Sequence, residues 1–335
     1  MTYRGSAAIA AALLASVSAT AVQAQDAAID QSQRGADANA FASDGDIVVT
    51  AQKVEQKLVD VPITISAVSA EKLRDLGVSD LDEVAFYVPG LNIQEQSANN
   101  PGIVIRGITS DSGSSQQAAR VTLYYNGVDI SRSRGAYQAI YDVDRIEVVK
   151  GPQATLFGTA STIGAISIIS ARPKEGISAE LTGGIGNYNQ RLLSGHFNLG
   201  SDIFAGRFAF EYKKRDGYVN NLSTTQDDLY AQDQFGARLS FRYSPHSDLT
   251  IDLIGTYDRQ RNSGTPFISK LYPTASGPGN PFGDANLSSS PLAATVLGAP
   301  KLGLRRNVYD LNLTSRYQFA DRWSYTGVTG YRAFD

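Results

Sequence analysis

Apolar and polar residues follow two rhythms along this chain, and the change falls at Pro173. Beyond it they alternate strictly. Phe235, Ala237, Leu239, Phe241 and Tyr243 fall on one side of a stretch whose other side carries Gln234, Gly236, Arg238, Ser240 and Arg242. The same period recurs around Phe204–Lys213, Leu249–Asp258, Tyr309–Phe319 and Trp323–Arg332. Period two is the signature of a β-strand with two unlike faces. The stretches run to about ten residues, long for a soluble sheet.

Before Pro173 the pattern is α+β. Val61–Val68 reads as a strand, Ser69 caps a helix that Gly77 ends, and Ser79–Asp80 starts a second helix that stops at Pro89–Gly90. Ile103–Gly107 reads as a strand, and Val121–Tyr125 with Val128–Ile130 as a hairpin on the favoured Asn126–Gly127 turn. Arg145–Lys150 and Gly164–Ser170 read as strands, separated by a short helix with Pro152 near its first position.

Links between the later stretches separate a membrane barrel from a soluble sandwich. They fall at Asn187–Gln190, Gly200–Asp202, Arg215–Gln232, Ser244–Ser247, Gln260 to near Leu304, and Ala320–Arg322. From the third onward they run long, short, long, short, and aromatics gather near strand ends, as in outer-membrane barrels. If the strand near Ile177 rises from the periplasm, the long links lie outside, with Asn187–Gln190 a short exception. About seven strands leave such a barrel open, so the chain is expected to be part of a longer protein.

Composition narrows the options. A net charge of -3 gives no argument for nucleic acid, and the absence of cysteine excludes disulfides and thiolate chemistry. After the N-terminus no apolar run reaches the ~18 residues of a membrane helix. Residues 1–24 read as a signal peptide, with Arg4, an apolar Ala7–Val17 and a Val22-Gln23-Ala24 cleavage site. Residues 25–60 read as a polar linker containing one isolated β-prone run, Asp46–Ala51. No enzyme is expected. His196 and His246 are far apart in sequence, Gly158–Gly164 has no following lysine, and Asp227–Asp228 reads as solvated loop charge.

Several motifs in fixed order carry a resemblance. They are Val88-Pro89-Gly90-Leu91, Ile105-Arg106-Gly107-Ile108, Tyr125-Asn126-Gly127-Val128, the stretch Asp144–Gln153, Leu156-Phe157-Gly158, Gly164-Ala165-Ile166 and Arg172-Pro173. Together with the leader and Asp46–Ala51, this order resembles TonB-dependent outer-membrane receptors. Lys150, Thr159-Ala160, Ile163 and Ser167 depart from the family's usual residues and point to a divergent subgroup.

The resemblance implies an α+β plug domain (61–173) followed by the first transmembrane antiparallel β-barrel strands (174–335) of a barrel of about 22 strands. It implies active import of a scarce nutrient, by default a ferric siderophore, with carbohydrate or aromatic compounds as alternatives. A passive porin would need no plug. A signalling receptor would need an extra domain before the linker, and a soluble adhesin is the remaining reading. TonB, with ExbB and ExbD, would pull on Asp46, Ile47, Val48, Val49, Thr50 and Ala51 as a TonB box, adding them as a strand to its own sheet. Implied ligand contacts come from polar plug loops and are Gln94, Gln96, Asn99, Asn100, Arg132, Arg134 and Tyr137. Phe267, Tyr272 and Phe282 in the third outer loop would stack on sugars or catechols alike. Arg106 is expected to pair with a wall carboxylate such as Glu180, Glu211 or Asp252. The other expected neighbour is outer-membrane lipid, and no cofactor or metal is expected.

Overall fold

A computed structural model describes residues 47–50, 56–78, 80–94, 102–109, 120–131, 139–158, 161–220, 227–264, 303–320 and 323–335. The leader and the third outer loop lie outside these residues.

The N-terminal part begins with two short paired strands, β1 (Val48–Val49) and β2 (Gln56–Lys57). Then come β3 (Ile65–Ser69) and helix α1 (Ala70–Asp75), on which the Ser69 hydroxyl accepts from the Lys72 N–H at 3.4 Å. Helix α2 (Leu81–Val84) starts on a capping box formed by Asp80 and Glu83. β4 (Leu91–Gln94), β5 (Gly102–Ile105) and β6 (Ile108–Thr109) make a small sheet. β7 (Val121–Tyr125), β8 (Val128–Asp129), β9 (Val143–Lys150) and, after helix α3 (Ala154–Phe157), β10 (Gly164–Ser170) complete the domain. The main sheet has the order β3-β9-β10-β7-β8, with β7 and β10 parallel. β10 is buried on both faces, as a parallel central strand requires. Its apolar side chains pack with Leu73, Leu81, Val84, Ile105 and Leu123 into one core.

Three expectations need correction. The first long strand starts at Ile65, because the chain bends at Pro62–Ile63, where proline offers no N–H to a ladder. Gln94, expected in a polar plug loop, instead ends strand β4, which pairs with β5 and whose short apolar run is hidden among polar neighbours. Pro152 precedes the cap residue Gln153 of α3 and is outside the helix.

The C-terminal part is a seven-stranded antiparallel meander in chain order. Its strands are β11 (Gly176–Gly186), β12 (Gln190–Gly200), β13 (Phe204–Arg215), β14 (Gln232–His246), β15 (Leu249–Asn262), β16 (Leu304–Ala320) and β17 (Trp323–Phe334). At ~3.3 Å per residue and a tilt near 45°, even the shorter strands cross the ~25 Å apolar band of an outer membrane.

Polarity is inverted relative to a soluble sheet. Gln234, Arg238 and Ser240 are buried on the face toward the N-terminal domain, whereas Leu239 and Phe241 are 46% and 50% exposed on the other. Aromatic pairs bracket this apolar face, with Phe204 stacked on Tyr243 at 4.6 Å near one edge and Tyr257 against Tyr309 at 5.2 Å near the other. From Phe235 to Tyr243 along β14 is about 26 Å at ~3.3 Å per residue, roughly 19 Å of height at a tilt near 45°, so this aromatic and aliphatic run fits within the ~25 Å apolar band. An outer face of this kind is stable only against lipid. Leu239→Arg is therefore expected to lower stability in bilayers by roughly 2–4 kcal/mol. Urea unfolding in vesicles would show it, and an unchanged midpoint would contradict the lipid-facing assignment.

Candidate functional site

Two features define the site: the seam where the N-terminal domain meets the inner wall, and the docked segment at Val48–Thr50.

The seam turns on Asp142, which lies just before β9 with φ of 47°, a left-handed conformation that aspartate tolerates better than most residues. Two wall arginines converge on it. Arg207 Nε donates to Oδ2 at 2.9 Å, and its Nη2 donates to Oδ1. Arg238 Nη2 donates to Oδ2 at 2.9 Å and to the Asp142 carbonyl. Arg238 also donates from Nη1 to the Tyr125 hydroxyl at 2.9 Å, and its guanidinium lies 5.0 Å over the Tyr141 ring. A buried guanidinium needs this density of acceptors, because desolvation would otherwise dominate. Tyr141 occupies the gap left by Gly236, where an added Cβ would lie 2.5 Å from the ring.

Other contacts extend the seam. Lys213 Nζ meets Asp80 at 2.5 Å, so the capping residue of α2 is also tied to β13. Burial pushes the Asp80 carboxyl up from its ordinary range, and Lys213 opposes that rise. At the Asn126–Gly127 turn, Asn312 Nδ2 donates to the Asn126 carbonyl at 3.1 Å, and Val128 fills the space over Gly330.

The second feature is the β1 edge. Val49 is fully buried, and β1 pairs with β2 in the register Val48 to Lys57 and Val49 to Gln56. Leu58 N–H donates to the Ile47 carbonyl at 2.8 Å. Thr50 donates from its N–H at 2.8 Å and its hydroxyl at 3.1 Å to one oxygen of Glu147, itself only 1% exposed. Arg145 Nε donates to the same carboxylate at 2.8 Å, so the buried charge is paired. The segment read as a free extended strand is docked on the domain that follows it.

The other candidates are placed as follows. Ile47, Val48, Val49 and Thr50 are described, whereas Asp46 and Ala51 lie outside the described residues. Gln94 ends β4 opposite Gly102. Gln96, Asn99, Asn100, Arg132, Arg134 and Tyr137 lie outside the described residues. Arg106 occupies an exposed turn with φ of 52°, against Gly90 and Gly151. Its suggested partners are engaged elsewhere: Glu180 lies 3.8 Å from Arg74, Asp252 is held by Arg242 and Arg316, and Glu211 is close to Lys213. Asp142, Arg207, Arg238 and Glu147 were not anticipated as a site. The wall arginines were readable as charges on the polar side of alternating strands, but nothing local announces their partners.

A polar-lined wall with a domain bonded to its inner face and an N-terminal strand held at that domain's edge is the architecture of a plugged membrane barrel. Residues 57–165 match the family described as "TonB-dependent Receptor Plug Domain". The pesticin receptor of Yersinia pestis is 33% identical over 202 residues, covering 57% of this chain and 29% of that protein. The ferric yersiniabactin uptake receptor FyuA from Yersinia pestis matches in structure with a TM-score of 0.64 at 22% identity, over 81% of this chain and 41% of that one. The siderophore receptor PiuA from Acinetobacter baumannii gives 0.62 at 18% identity, over 84% and 38%. Residues 57–165 thus carry the plug domain of TonB-dependent receptors, the likeness to the solved receptors shows the fold of a plug followed by part of a barrel, and the chain spans 29% of the length of the pesticin receptor.

Because Tyr141 fills the Gly236 gap, Gly236→Val is expected to push the plug off the wall at a cost of about 1–3 kcal/mol. Limited proteolysis of folded receptor should then cut the 139–143 segment faster, and unchanged protection would contradict this packing.

Proposed function

We propose that this chain is the plug and leading wall of an active transporter that binds a scarce nutrient, a ferric siderophore, and imports it with energy delivered by TonB, ExbB and ExbD. The observation that carries this reading is the docked β1 edge. Val48 and Val49 favour extended backbone and already pair as a strand with β2, the type of pairing that addition to a TonB sheet would replace. What the exchange must replace is small: a two-residue ladder, the Thr50–Glu147 hydrogen bonds, the bond from Leu58 N–H to the Ile47 carbonyl and the burial of one side chain, Val49. Once the segment has left its dock, a pull travels along the chain to β3, the first strand of the main sheet, which is paired with β9 from Ile65 to Ser69. β9 follows directly on Asp142, where the plug is fastened to the wall. The siderophore reading draws on the relatives, among them a siderophore receptor.

Proline at Val49 removes a donor and breaks extended pairing. Val49→Pro in the full-length receptor is expected to abolish uptake while ligand binding stays intact, and surviving uptake would overturn the assignment of the box. Glu147→Ala removes the acceptor of both Thr50 bonds, so a cysteine at position 49 should react with a periplasmic thiol reagent several-fold faster, about what losing ~1 kcal/mol of docking allows. Growth dependence on iron rather than on a sugar would test the cargo.

A further inference from the structure

A cavity of about 340 Å³ lies between the plug and the first three wall strands. Helix α1 and the segment Ile140–Val143 close one side of it, and β11, β12 and β13 close the other. Sites for small molecules run to roughly 300–1,000 Å³, so the space suits a small solute. Leu73, Ile140 and Leu192 give it apolar walls. Thr182, Ser194 and Glu211 give it one polar row, because Thr182 pairs in register with Ser194, and Ser194 with Glu211, across β11, β12 and β13.

Glu211 differs from the other acids of this lining. It is 5% exposed, and its Oε1 is closed off from solvent and takes no hydrogen bond from the described residues. The nearby cations are held by other acids. Lys213, next along the same side of β13, reaches Asp80 at 2.5 Å. Arg207, further back on that side, forms its fork with Asp142. Arg74 of α1 stands 3.8 Å from Glu180. Asp142 and Glu180 thus each face a guanidinium, whereas the described residues show none on Glu211.

A carboxylate buried without a donor has lost its water and received nothing in return. A water molecule satisfies the oxygen and leaves the charge, whereas a cation answers both. Among the described residues no three acid or histidine side chains converge closely enough to hold a metal ion. A primary ammonium suits the row better. It is a compact charge with three N–H donors, and the Glu211 carboxylate and Ser194 hydroxyl are neighbouring acceptors with Thr182 next in line.

We propose that this cavity binds a small primary amine, its ammonium on Glu211 and Ser194 and its alkyl body against Leu73 and Ile140. The occupant touches plug and wall at once, since Leu73 and Ile140 belong to the first and Glu211 and Ser194 to the second. A ligand that binds only the closed arrangement stabilises it, so the amine fastens the plug. The site stands apart from the transport reading, because plug and wall already meet there at rest.

The test titrates full-length receptor in nanodiscs with n-butylammonium chloride by calorimetry at neutral pH. The controls are n-butanol, which lacks the charge, and tetramethylammonium chloride, which lacks N–H donors. Saturable binding is expected for butylammonium and for neither control. Glu211→Gln keeps the shape and removes the charge, so it should fold and bind at least tenfold more weakly. Heat-shifted mobility confirms folding, and if this variant fails it, Ser194→Ala takes its place with a severalfold loss expected. Saturating butylammonium should also slow proteolysis of the 139–143 segment severalfold in the unmodified receptor and leave it unchanged in the variant. Non-saturable titration, equal binding of either control, affinity that ignores the substitution, or proteolysis that ignores the amine overturns the site.

Discussion

Everything in the described structure is arranged around one buried pairing, the Asp142 carboxylate held between Arg207 and Arg238. The carboxylate comes from the plug and the guanidiniums from neighbouring strands of the wall. A charge left alone in such a place would cost several kcal/mol, so neither side is stable there without the other. The strain of a left-handed aspartate is tolerated because its carbonyl and carboxylate both serve Arg238. The seam is therefore strong while made and unfavourable when half made, which would suit the gate of the transporter proposed above.

The wall follows from the same requirement. A strand that puts Arg238, Gln234 and Ser240 inside and Leu239 and Phe241 outside has no stable home in water. It has one where lipid covers the apolar side and a polar domain fills the other. Membrane placement and plug retention are thus two consequences of one alternating pattern. The docked Val48–Thr50 segment adds the remaining part: a weak edge attached through Glu147 to the sheet that carries the strong seam. In the transport role proposed above, the weak edge would give way to a pull before the strong seam is loaded.

Much of this was legible in the sequence. Five of the seven wall strands, β13 to β17, appear as alternating stretches, because the period of two survives in each, and the long and short links followed from the turn residues between them. The Asn126–Gly127 hairpin and the Ser69 and Asp80 caps were equally local signals, and they hold with both turn residues at positive φ. What could not be read was contact between parts distant in the chain. Asp142 has no motif around it, and its value depends on Arg207 and Arg238, which lie far along the sequence. Glu147 was part of a recognised motif, yet only folding shows that its carboxylate holds Thr50. Arg106 illustrates the opposite case: a charge inside an apolar run invited a wall partner, but its left-handed turn against Gly90 and Gly151 leaves it exposed.

The most direct test of this account is a double-mutant cycle between Asp142→Asn and Arg238→Gln in the full-length receptor, read by urea unfolding in vesicles. Residues that share a buried charge network couple by roughly 0.5–3 kcal/mol. The account predicts coupling of at least ~1 kcal/mol, with the double variant less damaged than the sum of the single ones. Additive effects would show that Asp142 and Arg238 do not depend on each other and would contradict the claim that this pairing fastens the plug to the wall.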